Sequence, residues 1–383
     1  MNVDVLANNP RWTTYFFVAV PVFAFVMAVV IILKRLKNVT ENSPGIITDS
    51  LKLIRRLRSK SKICDEECQI SSSIADPRFE KPFIDAILSG NNARVKHLLS
   101  LGIADVNFHD GKMTGLQYAA TAGNEDLVQH LLANGANANA EAGNDGGRTA
   151  LQAASEGGHL AVVDRLLKKG ANVNTEAVGD QGRTALQAAS EGGHLVVMDR
   201  LLEKGASVNA EAAWRAGRTA LQAASEGGHL AVMDWLLEKG ADVNADASTY
   251  SGRTALQAAS ERGHLAVVDR LLEKGAEVNA AAGYDQGRTA LQAASGGGHL
   301  AVMDQLLENG ANVNADAVTY SGRTALQAAS EKGHLAVVDR LLEKGSNVNA
   351  EASPFGGRTA LQAASAGGHL AVVELLRRAG ATR

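Results

Sequence analysis

Histidines are the side chains of this sequence whose type and regular spacing raise the question of metal chemistry. Seven of the ten histidines occur once each in successive segments, within the tripeptide Gly-His-Leu. They are His159, His194, His229, His264, His299, His334 and His369. A zinc site needs several ligands about 2 Å from one ion, whereas packed neighbouring helices lie roughly 10 Å apart. With one histidine to a segment, the spacing predicts no shared metal ion.

Cysteine chemistry is limited to Cys64 and Cys68, the only two cysteines of the chain. Two thiols are too few for a structural zinc site, which takes four ligands. Three states remain open for them: free thiols, a disulfide in an oxidising compartment, or S-palmitoylation close to a membrane. We expect free thiols, because the orientation argued below places this segment in the reducing cytosol.

Motifs for catalysis are missing from the sequence. It contains no Gly-x-x-x-x-Gly-Lys-Ser/Thr phosphate loop, no strand-preceded Gly-x-Gly-x-x-Gly, no His-Glu-x-x-His and no nucleophile elbow. We therefore expect no enzyme activity, no cofactor and no small-molecule substrate.

Internal repetition determines the predicted architecture. Seven copies of Gly-Arg-Thr-Ala-Leu-Gln-Ala-Ala-Ser begin 35 residues apart, the first at Gly147 and the last at Gly357. A fixed period of this length predicts a solenoid, in which each unit buries its apolar face on its neighbours. Such proteins present a long outer surface, so the period favours a binding function.

One unit can be followed residue by residue from Arg148. Thr149 with Gln152 three positions later forms a capping box, which predicts a helix over 150–156. Apolar residues at helical spacing predict a second helix over 160–168, and Gly170 suits the position after its last turn. The remainder of the period leads to the next unit as an extended finger loop.

The unit resembles an ankyrin repeat, and GRTALQAASEGGHLAVVDRLLKKGANVN, residues 147–174, is similar to the long ankyrin arrays of filamentous fungi. The usual Thr-Pro-Leu-His of the family reads Thr-Ala-Leu-Gln here, and the usual period of about 33 residues is lengthened at the finger tip. The resemblance implies an all-α repeat solenoid with extended finger loops, a structural role for the repeated histidine, and a function in protein–protein interaction.

The sequence predicts four regions. They are 1–14, a short N-terminus outside the cytosol; 15–33, a transmembrane helix; 34–78, a basic juxtamembrane linker; and 79–383, a solenoid of nine units. The units are predicted at about 79–112, 113–147, 148–182, 183–217, 218–252, 253–287, 288–322, 323–357 and 358–383.

The predicted membrane anchor is Tyr15–Leu33, nineteen residues without a charge. As a helix this segment is about 28 Å long, which suits a hydrocarbon layer of roughly 30 Å. A cleaved signal peptide is the alternative, but the segment lacks a basic n-region before it and small residues at its end. Lys34, Arg35 and Lys37 follow directly, so the positive-inside rule predicts that the repeats face the cytosol. The sequence does not specify which membrane.

Charge divides the chain into two parts. Residues 1–62 hold ten Lys/Arg and three Asp/Glu, and the remainder holds 28 and 38. Within 50–62, basic residues accompany an apolar face, which predicts either a helix on anionic lipid or a solvated basic linker. The candidate membrane-surface residues are Lys52, Arg55, Arg56 and Arg58. The acidic repeats disfavour nucleic acid as a partner.

Aromatic residues mark the candidate partner-binding positions. Five of them precede the first arginine of a unit by three or four residues, at the predicted finger tips. They are Trp214, Tyr250, Tyr284, Tyr320 and Phe355. A strip of exposed rings would suit a protein partner, while rings packed on neighbouring fingers would only stabilise the loops. Trp235, which replaces an arginine of other units on the second helix, is a further candidate contact.

Three functional hypotheses follow. The first is a single-pass membrane protein that displays its repeats to the cytosol as a scaffold for protein partners of unknown identity. The second is a regulatory ankyrin protein, such as a transcriptional co-regulator of a fungal gene cluster. The third is an accessory subunit of a partner enzyme or transporter.

Overall fold

In the computed structural model, the described residues form eighteen α-helices in nine consecutive pairs, which turns and loops connect. The structure describes residues 77–102, 104–141, 147–176, 182–212, 217–246, 252–281, 287–316, 322–353 and 356–382. Within these ranges there is no β-strand, and an isolated bridge joins His109 and Thr114.

Each pair consists of a first and a second helix. The first helices are α1 Pro77–Leu88, α3 Gly115–Thr121, α5 Ala150–Glu156, α7 Ala185–Glu191, α9 Ala220–Gly227, α11 Ala255–Arg262, α13 Ala290–Gly297, α15 Ala325–Lys332 and α17 Ala360–Ala366. The second helices are α2 Asn92–Ser100, α4 Glu125–Ala133, α6 Leu160–Lys168, α8 Leu195–Glu203, α10 Leu230–Glu238, α12 Leu265–Glu273, α14 Leu300–Glu308, α16 Leu335–Glu343 and α18 Leu370–Arg378.

The capping box begins the first helix, as the sequence predicts. Gln152 donates its backbone N–H to Thr149 Oγ1 over 3.3 Å, and Thr149 donates its own to Gln152 Oε1 over 2.9 Å. These bonds satisfy backbone groups that a helix start leaves without partners. The predicted bounds of α5 and α6 are both confirmed.

The turn between the two helices requires glycine for two reasons. Gly158 has a φ of +69°, which L side chains rarely adopt. A Cβ at this position would also lie 2.5 Å from Nδ1 of His194 in the next unit. Glycine therefore satisfies both requirements: it adopts the positive φ, and it leaves room for the histidine of the next unit.

Small and branched apolar residues form a continuous core. Ala154 of α5 is fully buried, as are Val163 and Leu166 of α6. The first helices of neighbouring units contact one another extensively, while neighbouring second helices contact one another more sparsely. Alanine at the facing positions permits this close approach of the first helices, because its side chain adds little volume between the backbones.

Polar side chains join each unit to the following segments. Gln187 Nε2 donates to the carbonyl oxygens of Ala210 and Glu211 over 3.0 and 3.1 Å, so the capping glutamine also holds the base of its own finger loop. Asn174 Nδ2 donates to Gly205 O over 2.8 Å, and its Oδ1 accepts from Ser207 N over 2.9 Å. Equivalent asparagine bonds recur from Asn107 to Asn349.

No helix in the described part of the chain is long and apolar enough to cross a membrane. The predicted anchor, Tyr15–Leu33, lies outside the described residues. The domain boundaries remain predictions of the sequence.

Candidate functional site

A row of ion pairs runs along the first helices, and we call it the Arg–Glu ladder. In the third to the ninth unit an arginine precedes the first helix by two residues, and in most of these units a glutamate follows eight residues later. The ladder consists of Arg148, Arg183, Arg218, Arg253, Arg288, Arg323 and Arg358 with Glu156, Glu191, Glu226, Glu261 and Glu331. The glutamate position is occupied by Gly296 in one unit and by Ala366 in the last.

Ladder pairs form both within and between units. Arg253 Nη1 lies 2.8 Å from Glu261 Oε2 of its own unit and 3.9 Å from Glu226 Oε1 of the preceding unit. Arg183 pairs in the same way with Glu191 and, over 3.9 Å, with Glu156. The paired arginines of the ladder keep between 26% and 46% of their side-chain surface exposed, so a partner can still reach them.

Glu226 receives the largest number of cations in the ladder. It pairs with Arg218 and Arg262 at 3.0 and 2.8 Å and with Arg253 at 3.9 Å. Burial alone would raise the pKa of Glu226, but the hydrogen bond from Arg262 and the three positive charges outweigh burial and lower it. Glu226 therefore remains ionised at neutral pH.

Two cavities lie between neighbouring first helices beside the ladder. One, of about 110 Å³, is lined by Arg323, Glu331 and Arg358 among others. The other, of about 260 Å³, is lined by Arg288, Gly296, Arg323 and Lys332 among others. Both are smaller than the several hundred Å³ typical of small-molecule sites. Their size suits single side chains of a partner.

Second helices are joined by a separate set of contacts, to which Trp235 belongs. Arg200 Nε lies 2.8 Å from Asp164 Oδ1, and Arg270 Nε donates to Asp234 Oδ1 over 2.6 Å. At the equivalent position Trp235 Nε1 donates to Asp199 Oδ1 over 2.9 Å, while its half-buried ring packs on the core. Trp235 therefore replaces the arginine as a link between units.

The repeated histidines also link units. Nε2 of His194 donates to the carbonyl oxygen of Glu156 over 2.9 Å, and the other six repeat this bond to the preceding first helix. Within the described ranges, no group of three His, Cys, Asp or Glu could hold a metal ion. A structural role accounts for these histidines.

The remaining predicted site residues lie outside the described residues. These are the finger-tip aromatics Trp214, Tyr250, Tyr284, Tyr320 and Phe355 and the basic residues Lys52, Arg55, Arg56 and Arg58. Cys64 and Cys68 also fall there. Their predicted roles remain predictions.

The Arg–Glu ladder was not predicted from the sequence. Its signal was present, because an arginine and a glutamate eight residues apart recur with the 35-residue period, and only Gly296 and Ala366 depart from that pattern. From sequence alone, charged residues at these positions are expected simply to face solvent. Only the packing of neighbouring units shows which of them form ion pairs.

The match to a family model agrees with the helical pairs. A family model described as ankyrin repeats, in three copies, matches residues 83–177, 175–247, 211–282, 241–317, 278–352 and 316–382. Among solved structures, the human ASB11 ankyrin repeat domain is 27% identical over 62% of this chain and 100% of that domain, with a TM-score of 0.49. No curated protein matches this chain.

Proposed function

The chain belongs to the ankyrin-repeat family, and from that premise we propose that it is a scaffold that holds protein partners at the cytosolic face of a membrane. The observation that carries the binding part of this proposal is the Arg–Glu ladder. It presents partly exposed charged side chains over successive units on one layer of helices. A surface of this extent suits another macromolecule, since charged groups spread over an interface guide a partner into register.

The membrane part of the proposal rests on the sequence. Tyr15–Leu33 has the length and apolarity of a transmembrane helix, and the basic residues after it orient the repeats toward the cytosol. The basic residues within 50–62 would add attraction to anionic lipid. Anchoring would raise the local concentration of any partner that is itself bound to the same membrane.

The aromatic finger tips would enlarge the binding surface. Rings with few rotatable bonds lose little entropy when a partner covers them, so they are frequent anchors in protein interfaces. In this proposal, Trp214, Tyr250, Tyr284, Tyr320 and Phe355 also contact the partner.

Protease protection tests the membrane part. The full-length protein, tagged after Arg383, is expressed into sealed microsomes and treated with protease before and after permeabilisation with detergent. We expect added protease to remove the tag from sealed vesicles and to leave a short fragment that resists carbonate extraction.

Two other results would contradict the proposal in different ways. Full extraction by carbonate would show that the chain is not anchored and would favour a free regulatory protein. Protection of the tag until detergent is added would place the repeats on the far side, where Cys64 and Cys68 become candidates for a disulfide.

A further inference from the structure

The surroundings of Glu226 show what a complete carboxylate position in the ladder looks like. Three cations converge on this one glutamate: Arg218 Nε at 3.0 Å, Arg262 Nη2 at 2.8 Å and Arg253 Nη1 at 3.9 Å. Arg218 comes from the same unit, while the other two come from the next unit. The Glu226 side chain is only 11% exposed, so the carboxylate fits closely among its partners.

The same set of cations recurs two units later without the carboxylate. Seventy residues further along the chain, Arg218 corresponds to Arg288, Arg253 to Arg323 and Arg262 to Lys332. Gly296 replaces the glutamate. Arg288 retains only a 3.9 Å contact with Glu261, and Lys332 forms no ion pair within the described part of the chain. Arg323 Nε is held by Glu331 at 2.6 Å, as Arg253 is held by Glu261.

Space is available where the carboxylate is missing. The cavity of about 260 Å³ lies at this position. Its lining includes Arg288, Gly296, Arg323 and Lys332, together with Glu331, the carboxylate that holds Arg323. A Cβ added to Gly296 would lie 3.6 Å from Ala328 Cβ and 4.0 Å from Arg288 Nη1, both ordinary van der Waals distances. A Cβ at position 296 therefore fits without displacing its neighbours, and it would lie 4.0 Å from a guanidinium nitrogen.

We propose that this cavity, the Gly296 site, binds the carboxylate of an aspartate or glutamate side chain from an acidic segment of a partner protein. A guanidinium group recognises a carboxylate through charge-assisted hydrogen bonds, and the Glu226 position demonstrates that geometry within the same chain. The cavity volume suits a side chain more closely than a whole metabolite.

Charge elsewhere in the array makes the site selective. The repeats, residues 79–383, carry 27 Lys/Arg against 34 Asp/Glu, so their net negative charge repels an acidic segment. At the Gly296 site Arg323 is paired with Glu331, while Arg288 and Lys332 leave a local excess of positive charge. An acidic partner is thus directed to one position along the repeats, because the negative charge of the other units repels it. The proposal rests on the scaffold function, since it places the ligand in a protein partner.

Direct binding of a defined peptide tests the site. The probe is a hexaglutamate peptide blocked at both ends, titrated by calorimetry into the full-length protein in detergent at low salt. We expect one site on the wild-type protein and at least a tenfold weaker affinity in Gly296→Glu, whose own carboxylate would occupy the cavity. Gly296→Ala is the matched control, and it should bind within twofold of wild type because its methyl group fits.

Two further variants distinguish the site from general attraction to basic residues. Arg288→Gln should weaken binding about fivefold, whereas Arg148→Gln should not, because Arg148 is already paired with Glu156. Glu226→Gly should create a second site of the same kind and raise the stoichiometry from one peptide to two. An unchanged affinity in both Gly296→Glu and Arg288→Gln would overturn the proposal.

The source of the carboxylate is tested with two competitors. Blocked hexaglutamine should not bind, since it lacks the charge. Citrate at a matched carboxylate concentration should compete weakly, and displacement as effective as that by hexaglutamate would overturn the protein partner in favour of a small free anion. These titrations need no membrane. A negative titration would therefore not contradict the membrane-anchored scaffold, and a negative protease test would not contradict the Gly296 site.

Discussion

Gln222 and Glu226 lie four residues apart in helix α9, yet they make opposite kinds of contact. Gln222 is 2% exposed and bonds only to backbone: it accepts from Thr219 N over 2.9 Å and donates to the carbonyls of Ala245 and Asp246. Glu226 is bonded to charged side chains at the edge of the ladder. Two units later the glutamine is retained as Gln292, while the glutamate becomes Gly296.

The difference shows which polar residues hold the fold and which are free to vary. A buried side chain that satisfies backbone groups leaves them without partners when it is removed, and that cost is large. Removal of a ladder glutamate leaves arginines that are partly exposed, so water can solvate them and the cost is smaller. The ladder can therefore differ from unit to unit without loss of the solenoid.

Replacement of Gln222 by alanine should give the largest effect. It removes the partners of Thr219 N and of two finger-loop carbonyls, so we expect a loss of about 3 kcal/mol in the free energy of unfolding. Urea unfolding followed by circular dichroism of the full-length protein measures it. Gln362→Ala is the control, because Gln362 is exposed and, among the described residues, its side chain bonds only within the capping box. Its cost should be about 1 kcal/mol. Equal losses for the two variants would contradict the role given to the finger-loop bonds.

Two buried serines test whether a buried hydroxyl group stabilises the fold only when it has a hydrogen-bond partner. Ser190 Oγ donates to Ala220 O over 2.6 Å, whereas Ser260 Oγ has no hydrogen-bond partner among the described residues. We expect Ser190→Ala to destabilise the protein by about 1 kcal/mol, and Ser260→Ala to leave stability unchanged or to increase it. Melting temperatures of the two variants compare them directly. Equal destabilisation would mean that both hydroxyl groups are satisfied.

Glu226→Gln should have the smallest effect, and that effect should depend on pH. The pKa of Glu226 is lowered in the folded protein, so ionised Glu226 stabilises the fold at neutral pH, and this contribution is lost as pH falls through the lowered pKa, below the ordinary value of 4.5. We expect a difference from wild type of at most about 1 kcal/mol at pH 7, smaller in high salt. Denaturant unfolding from pH 7 to pH 3 measures it. A difference that grows toward pH 3 would contradict the cause assigned to the lowered pKa.

Local signals in the sequence were sufficient for the elements of each unit. Thr149 and Gln152 predict the start of α5, and the spacing of Val162, Val163 and Leu166 predicts the buried face of α6. These features act within a few residues of the chain, so a single unit contains all of the information. The replacement of an arginine by Trp235 was also visible in the sequence, but its hydrogen bond to Asp199 was not.

The sequence by itself determined the repeat, the helix pairs and the residues that cap them, because capping and helical periodicity depend on neighbours along the chain. Tertiary structure alone decided which charges meet. Arg262 reaches Glu226 across 36 residues, and Lys332 stands in the same relation to Gly296. Such contacts depend on how far one unit is offset when it stacks on the next, and that offset is set by the packing of the first helices against one another.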